Sequence, residues 1–199
     1  MNQQQLRDEF ADRFPGAVIL PYKGAWPTIA DTAFVAPGAV VIGNVTIGDD
    51  VSIWFNTTVR GDIAPISIGA RSNVQDGTLV HVNADAPVVV GEDVTIGHTA
   101  IIHGTSIGDR TLVGMGAIVM SYTTIGADCV IAAGALISER TVVEDGAVMV
   151  GVPARPRPPL GDAQRAHLDG INLRYVEVSQ VYKQELGSLY AREGIDDAD

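Results

Sequence analysis

Three of the four histidines of this chain lie in one stretch, at His81, His98 and His103. Neutral imidazole nitrogens bind zinc at distances of about 2.0–2.1 Å. Three such ligands with an open fourth position are typical of a catalytic rather than a structural zinc site. The three histidines therefore predict a metal centre, while the isolated His167 is interpreted as a surface or packing residue.

The histidines lie inside a repeat in which an aliphatic residue returns every six positions. This period is the hexapeptide signature of a parallel β-helix, in which three hexads make one triangular coil of about 18 residues. The aliphatic positions stack into a core that no single coil could bury, and glycines such as Gly48, Gly69 and Gly91 are expected at the sharp turns. A β-sandwich would not explain so strict a period. The aliphatic residues include Val35, Val41, Ile47, Ile53, Val59, Ile68, Val74, Val80, Val90, Ile96, Ile102, Ile107, Val113, Val119, Ile125, Ile131, Ile137, Val143 and Met149.

Extra residues break the period at 61–65 and at 83–87. Both insertions leave the helix at the same corner, one coil apart, and insertions on one edge of a solenoid usually build a binding face. A shortened step between Ile102 and Ile107 lies beside His103. The histidine stretch is therefore also where the repeat is least regular.

The pattern divides the chain into a lead-in segment (1–30), a β-helix (31–155) and a C-terminal helix with a tail (156–199). The helix is predicted from apolar residues at helical spacing, among them Tyr175 and Tyr182, and is expected to lie along the β-helix. Trp54 and Phe55 face outward, where they suit either a subunit interface or packing beneath that helix.

Composition excludes several classes of function. The formal net charge of −11 argues against nucleic acid or an anionic membrane surface as a partner. The single cysteine, Cys129, cannot form an intrachain disulfide and is expected to fill space in the core. No apolar stretch reaches the roughly 18 residues of a membrane span. A cytoplasmic protein is the expectation.

The repeat fixes where the candidate ligands lie. Val59, Val80 and Ile102 begin equivalent hexads, so the residues that follow them, Arg60, His81 and His103, stack about 4.8 Å apart on successive coils. His98 stacks above Asp76, with Gln75 beside it, at a different corner. We therefore expect that one chain cannot bring the three histidines together. A ring of heterologous contacts that closes as a trimer would join the two corners.

The motifs VRGD (59–62), SNVQDGTLVH (72–81), VTIGHTAIIHG (94–104) and VGMGAIVM (113–120) resemble those of the γ-class carbonic anhydrases and their close relatives. The resemblance implies a mainly β fold, a left-handed parallel β-helix of hexapeptide repeats with a C-terminal α-helix. It also implies that His81, His98 and His103 bind Zn²⁺, or Fe²⁺, between the subunits of a homotrimer.

By the same resemblance, Asp62 and Gln75 would hydrogen-bond the metal-bound water and the substrate, and Asn73 would help to orient them. Arg60 would pair with an acidic residue at the interface, for which Asp76 is the natural candidate, although a purely structural ion pair is equally open. A bound cation lowers the pKa of its water towards 7, which yields hydroxide for attack on CO₂ to give bicarbonate.

The chain departs from the archetypal enzyme where that enzyme has a long acidic loop and a glutamate thought to shuttle protons. Ile63 follows Asp62 here, and the loop after His81 is only VNADAP. Proton transfer would need Asp85, a buffer or a chain of waters, so turnover is expected to be low.

Two other functions share the same metal site. One is hydrolysis of an acyl-CoA thioester, and the other is a catalytically weak, metal-stabilised trimeric scaffold. Acyl transfer, which is common among hexapeptide proteins, is less favoured because it needs a groove for CoA and a single general-base histidine.

Overall fold

The computed structural model describes residues 3–161, 163, 166, 168 and 170–196. It is a left-handed parallel β-helix of about seven turns with a C-terminal helix, which confirms the predicted fold class. Two helices flank the strands, α1 at Gln3–Arg13 and α2 at Ile171–Asp196. The strands are β1 Val18–Leu20, β2 Thr28–Ile29, β3 Phe34–Val35, β4 Val40–Ile47, β5 Ser52–Ile53, β6 Thr58–Ile68, β7 Asn73–Val74, β8 Leu79–His81, β9 Val88–Val90, β10 Thr95–Ile96, β11 Ile101–His103, β12 Thr105–Ile107, β13 Leu112–Val113, β14 Ile118–Val119, β15 Thr123–Ile125, β16 Val130–Ile131, β17 Leu136–Ile137, β18 Val142–Val143, β19 Val148–Val150 and β20 Arg155–Arg157.

The strands stack in parallel on three faces of a prism. Face one contains β3, β5, β7, β10, β13, β16 and β19, and β20 closes it in antiparallel orientation. Face two contains β8, β11, β14 and β17, and face three contains β9, β12, β15 and β18. The long strand β6 belongs to both of these faces, because it pairs with β8 at its start and with β9 at its end. The first insertion, 61–65, lies within β6, at the corner between faces two and three.

The core is the stack of inward aliphatic side chains. Ile53, Ile96, Ile102 and Ile131 have no exposed surface. Cys129 is equally buried among them, and burial raises the pKa of its thiol. It therefore fills space in the core, as the repeat predicted.

The glycines do not account for all of the sharp turns, where the repeat predicted them. The sharp turns with positive φ are often made by other residues, for example Asp50 (54°), Arg71 (58°) and Asp93 (58°). Gly69 is required instead by the close approach of coils, since a Cβ there would lie 2.5 Å from the carbonyl oxygen of Gly91. Packing between coils, more than backbone freedom, accounts for this glycine.

Helices α1 and α2 both pack on the solenoid. Helix α2 packs on face one against β3, β5 and β7. The ring of Trp54 lies edge-on to Tyr175 and Tyr182 of this helix, with centroids 5.3 and 5.4 Å apart. Of the two placements open to Trp54, the structure shows packing beneath the helix.

The lead-in segment contains structure that the sequence pattern did not predict. Helix α1 packs against β1, and Phe10 stacks on Trp26 with ring centroids 6.0 Å apart. Strands β1 and β2 both pair with β4, so the first coil includes residues before position 31. No helix in the described part of the chain is long and apolar enough to span a membrane.

Candidate metal centre

The strand register places Arg60, His81 and His103 in one column. Arg60 pairs with His81 across β6 and β8, and His81 pairs with His103 across β8 and β11. All three lie where face two ends, next to the insertions at 61–65 and 83–87. The stacking predicted from the six-residue period is confirmed.

The side chains of this column are joined to Asp62. Nδ1 of His81 lies 3.1 Å from Nε2 of His103, and Nε2 of His81 lies 3.0 Å from Oδ1 of Asp62. Arg60 donates to the other carboxylate oxygen of Asp62. We call Arg60, Asp62, His81 and His103 the first half-site.

Two residues that sequence reasoning missed hold the outer edge of His103. Nδ1 of His103 lies 2.8 Å from Oγ of Ser121, and Nδ2 of Asn83 donates to the same oxygen at 3.0 Å. Ser121 follows His103 by 18 residues, one coil later, so the period could have identified it. Asn83 lies in an insertion, for which the repeat predicts no position.

His98 lies at the corner between faces one and two. Its Nδ1 is 2.8 Å from Oδ2 of Asp76, and the backbone N–H of Thr99 donates to the carbonyl of Asp76. Gln75 donates from Nε2 to Oδ1 of Asn73 at 3.0 Å. We call Asn73, Gln75, Asp76 and His98 the second half-site.

The eight residues predicted for the site therefore fall into two groups at two corners. Within the described part of the chain, no three His, Cys, Asp or Glu side chains form a group that could hold a metal ion. Arg60 pairs with Asp62, and Asp76 pairs with His98. An interface pairing of Arg60 with Asp76 thus stays a prediction.

The donor set nevertheless fits a metal ion. Each histidine has one ring nitrogen beside a protein oxygen: from Asp62 for His81, from Asp76 for His98 and from Ser121 for His103. Such partners orient the ring, and a carboxylate also fixes its tautomer, so that the other nitrogen can bind a metal. The nitrogens left are Nδ1 of His81, Nε2 of His98 and Nε2 of His103, and the first and third already converge.

The electrostatics of the first half-site keep Asp62 charged and His103 neutral. Burial by itself would raise the pKa of Asp62, but hydrogen bonds from His81 and Arg60 lower it below its ordinary value. Burial lowers the pKa of His103, and a positive charge on His81, when that ring is protonated, or on Arg60 lowers it further. The lowered pKa of His103 favours the neutral imidazole, which is the form that binds a metal ion.

A groove of about 510 Å³ opens beside the second half-site, between face one and α2. Asp76 lies at its edge, and Arg174 is the cationic residue in its lining. Burial, and then the carboxylate of Asp76, raises the pKa of Tyr175. The lining consists of Trp54, Phe55, Asp76, Ile171, Arg174, Tyr175, Val178 and Tyr182.

Asp85, in the insertion at 83–87, makes an exposed hydrogen bond near the first half-site. The hydroxyl of Tyr122 donates to Oδ1 of Asp85 at 2.8 Å, which raises the pKa of Tyr122. The guanidinium of Arg140 lies 4.7 Å from the Tyr122 ring centroid. Asp85 is thus held at the surface, two residues from Asn83.

Comparisons with known proteins find a hexapeptide-repeat family model and relatives that are named carbonic anhydrases. The family model described as bacterial transferase hexapeptide (six repeats) matches residues 27–61 and 104–139. A carbonic anhydrase of Geobacillus kaustophilus is 37% identical over 166 residues, which cover 83% of this chain and 91% of that protein.

Two further relatives extend the comparison. Mitochondrial gamma carbonic anhydrase 2 of Arabidopsis thaliana is 36% identical over 165 residues, or 80% of this chain. The chain spans only 59% of that plant protein. The solved structure of a hexapeptide transferase family protein from Anaplasma phagocytophilum matches with a TM-score of 0.80 at 36% identity. The match covers 83% of this chain and 98% of that protein's chain.

Proposed function

The chain belongs to the γ-carbonic-anhydrase-like family of hexapeptide-repeat proteins, and on this basis we propose that it catalyses the reversible hydration of CO₂ to bicarbonate. The catalyst would be a homotrimer in which a metal ion, Zn²⁺ or Fe²⁺, is bound between neighbouring subunits. His81 and His103 of one subunit and His98 of the next would be its ligands.

The observation that supports this proposal is the arrangement of the histidine nitrogens. All three rings have one nitrogen beside a protein oxygen, and the remaining nitrogens of His81 and His103 lie 3.1 Å apart. A third neutral nitrogen from another chain would complete a set typical of a catalytic site. When bound, the cation supplies a Lewis acid that lowers the pKa of water towards neutrality.

The chain's own residues would position these groups. Asp62, held by Arg60, keeps the proton of His81 on Nε2 and leaves Nδ1 for the metal. Gln75 is 4% exposed and uses Nε2 to hold Asn73, so its Oε1 can accept a hydrogen bond from water or bicarbonate. Asp76 would serve His98 as Asp62 serves His81.

An apolar stripe supports the trimer. Leu79, Ile101, Ile118 and Leu136 follow one another in register on the outer side of face two, and Leu79 and Ile101 are 42% and 38% exposed. Face two lies between the two half-sites. If this face turns towards the threefold axis, each first half-site meets a neighbour's second half-site and the stripe is buried.

The experiment that tests the proposal joins metal analysis to stopped-flow CO₂ hydration. Protein purified without chelator should contain about one Zn or Fe per chain and elute well above its monomer mass of 20.9 kDa. Metal-loaded protein should hydrate CO₂ faster than buffer alone, and His167→Ala, outside the proposed ligand set, should match the parent. A metal-loaded trimer with no rate above buffer would contradict this function and favour the scaffold.

A second candidate is hydrolysis of an acyl-CoA thioester at the same metal. The groove beside Asp76 favours it, because about 510 Å³ is far more than CO₂ needs and falls in the size range of organic ligand sites. A panel of acyl-CoAs assayed by thiol release tests it. Val178→Trp, which fills the groove, should abolish thioester hydrolysis but leave CO₂ hydration intact.

A further inference from the structure

His103 differs from the other two histidines in the partner that holds it. Carboxylates orient His81 and His98, whereas a hydroxyl contacts His103. We propose that Ser121, held by Asn83, is the positioning residue of His103 and reverses its hydrogen bond when metal binds. This inference rests on the proposed metal site.

The direction of the hydrogen bonds follows from Asp62. Its carboxylate can only accept, so Nε2 of His81 carries the hydrogen. In the neutral ring Nδ1 of His81 then has none and must accept from Nε2 of His103. Nδ1 of a neutral His103 therefore has no hydrogen, and it accepts from the hydroxyl of Ser121.

Asn83 makes this arrangement complete. Its Nδ2 donates to Oγ of Ser121, which fixes the oxygen and leaves the hydroxyl hydrogen to point at His103. In the metal-free chain every donor is thus directed towards Asp62, from Asn83 through Ser121, His103 and His81. Ser121 is only 3% exposed, so water competes little for these bonds.

Metal binding would require the opposite direction at Ser121. When His103 gives Nε2 to a cation, the ring hydrogen must be on Nδ1, and Oγ of Ser121 must accept it. A hydroxyl can donate or accept by rotating its hydrogen, whereas a carboxylate can only accept. Ser121 can therefore serve both states of His103 without a change in the number of protons.

The tautomer of His103 tests the first half of this proposal. We expect ¹⁵N-edited NMR at pH 8 to show the Nε2–H form in metal-free protein and the Nδ1–H form after addition of Zn²⁺. His81 should stay in the Nε2–H form throughout. An Nδ1–H tautomer of His103 in metal-free protein would overturn the proposal.

Zinc affinity, measured by competition with a chelator, tests the second half. Ser121→Ala should weaken Zn²⁺ binding by about 10- to 100-fold, as other ligand-orienting residues do. Ser121→Thr keeps the hydroxyl and should return within about threefold of the parent. Ser106→Ala, the same change at a half-buried site on face three, is the matched control, and melting temperatures of all variants check folding.

The results separate this proposal from the proposed function. Zinc affinity within twofold of the parent in Ser121→Ala, or failure of Ser121→Thr to recover, would overturn the role of Ser121. Absent CO₂ hydration with normal zinc binding would overturn only the reaction. If the parent bound no zinc, both would fall.

Discussion

The two half-sites carry the same kind of pair, a histidine against an aspartate, but differ in how much of it is buried. In the first, the side chains of His81 and Asp62 are 16% and 14% exposed. In the second, those of His98 and Asp76 are 40% and 42% exposed. The first is also anchored at four further points, by Arg60, His103, Ser121 and Asn83, whereas the side chain of His98 is held by the carboxylate of Asp76.

This difference indicates which half is preorganised. The first half-site holds two of the proposed ligand nitrogens 3.1 Å apart within a single chain. The second offers one ligand on a half-exposed corner that a neighbouring subunit would have to cover. Burial strengthens a charge-assisted hydrogen bond, because fewer waters compete for it. The first half-site should therefore keep its geometry in isolation, and the second should gain its geometry on assembly.

The largest expected effect comes from separating the halves onto different chains. His98→Ala and His103→Ala should each lose metal and activity, because each destroys every shared site. When the two variants are unfolded and refolded together at equal amounts, about one quarter of the interfaces should pair an intact first half-site with an intact second. Stopped-flow CO₂ hydration and metal content should both recover to that fraction.

A second mixture of variants is the negative control for this experiment. Mixing His81→Ala with His103→Ala, both in the first half-site, should recover nothing, because every chain then lacks one ligand of the same half. If His98→Ala and His103→Ala also recovered nothing while refolding to trimers, the shared site would be wrong.

A smaller difference should separate the two aspartates. Asp62→Asn should weaken zinc affinity by about 100-fold, since the amide loses the charge that pairs with Arg60 and can no longer fix the His81 tautomer unambiguously. Asp76→Asn should cost nearer 10-fold, because Asp76 pairs with His98, whereas the loss of Asp62 also leaves the charge of Arg60 without its carboxylate. Competition with a chelator measures both, and equal losses would contradict the contrast between the halves.

The sequence predicted the two halves because a solenoid converts spacing into position. Successive coils are hydrogen-bonded in register, so residues at equivalent places in the repeat must stack, as Arg60, His81 and His103 do. The same rule separated His98 from this column. Position, however, does not determine rotamer, so the repeat alone does not predict the contact of Arg60 with Asp62 within the chain. The pairing of Arg60 with Asp76 across an interface stays a prediction.

What the sequence could not predict lies outside the repeat. Asn83 is in an insertion, so no period specifies its contact with Ser121. Helix α1 has almost no amphipathic pattern, so the sequence predicts only a lead-in segment there. The aromatic packing of Trp54 on Tyr175 depends on how α2 docks, a tertiary choice between two placements that the sequence left open.

The next prediction concerns Asp85, in the insertion at 83–87, and the transfer of protons from the first half-site to solvent. With Ile63 in place of an acidic residue, we expect turnover at low buffer to be limited by proton transfer and to rise with added imidazole. Asp85→Asn should reduce the low-buffer rate roughly threefold, much less than the 10²-fold typical of a direct general acid or base. High buffer should erase the difference, and a deficit that persists would place Asp85 in the chemistry itself.

The smallest effect concerns helix α2, which lies beside the second half-site. Arg71 lowers the pKa of Asp93 by a hydrogen bond, and Asn172, just inside α2, donates to the same carboxylate at 2.8 Å. Because the folded-state pKa lies below the unfolded value of about 3.9, this stabilisation is present above that pH and is lost as pH falls through the folded pKa. Solvent screening limits it to about 1 kcal/mol or less.

Asp93→Asn measures this contribution without disturbing the backbone, since Asn tolerates the positive φ at this position. In a Trp26→Phe background, fluorescence of Trp54 reports the docking of α2 during urea unfolding. The parent should exceed Asp93→Asn in stability at pH 7, and the gap should shrink as the pH falls below about 3.9. Asp128→Asn is the matched control, because Asp128 pairs with Arg110 as Asp93 pairs with Arg71. This change should leave the Trp54 signal unchanged. A gap that stays constant as the pH falls below about 3.9 would mean that the charge of Asp93 does not hold the helix, and that α2 is held there by apolar packing alone.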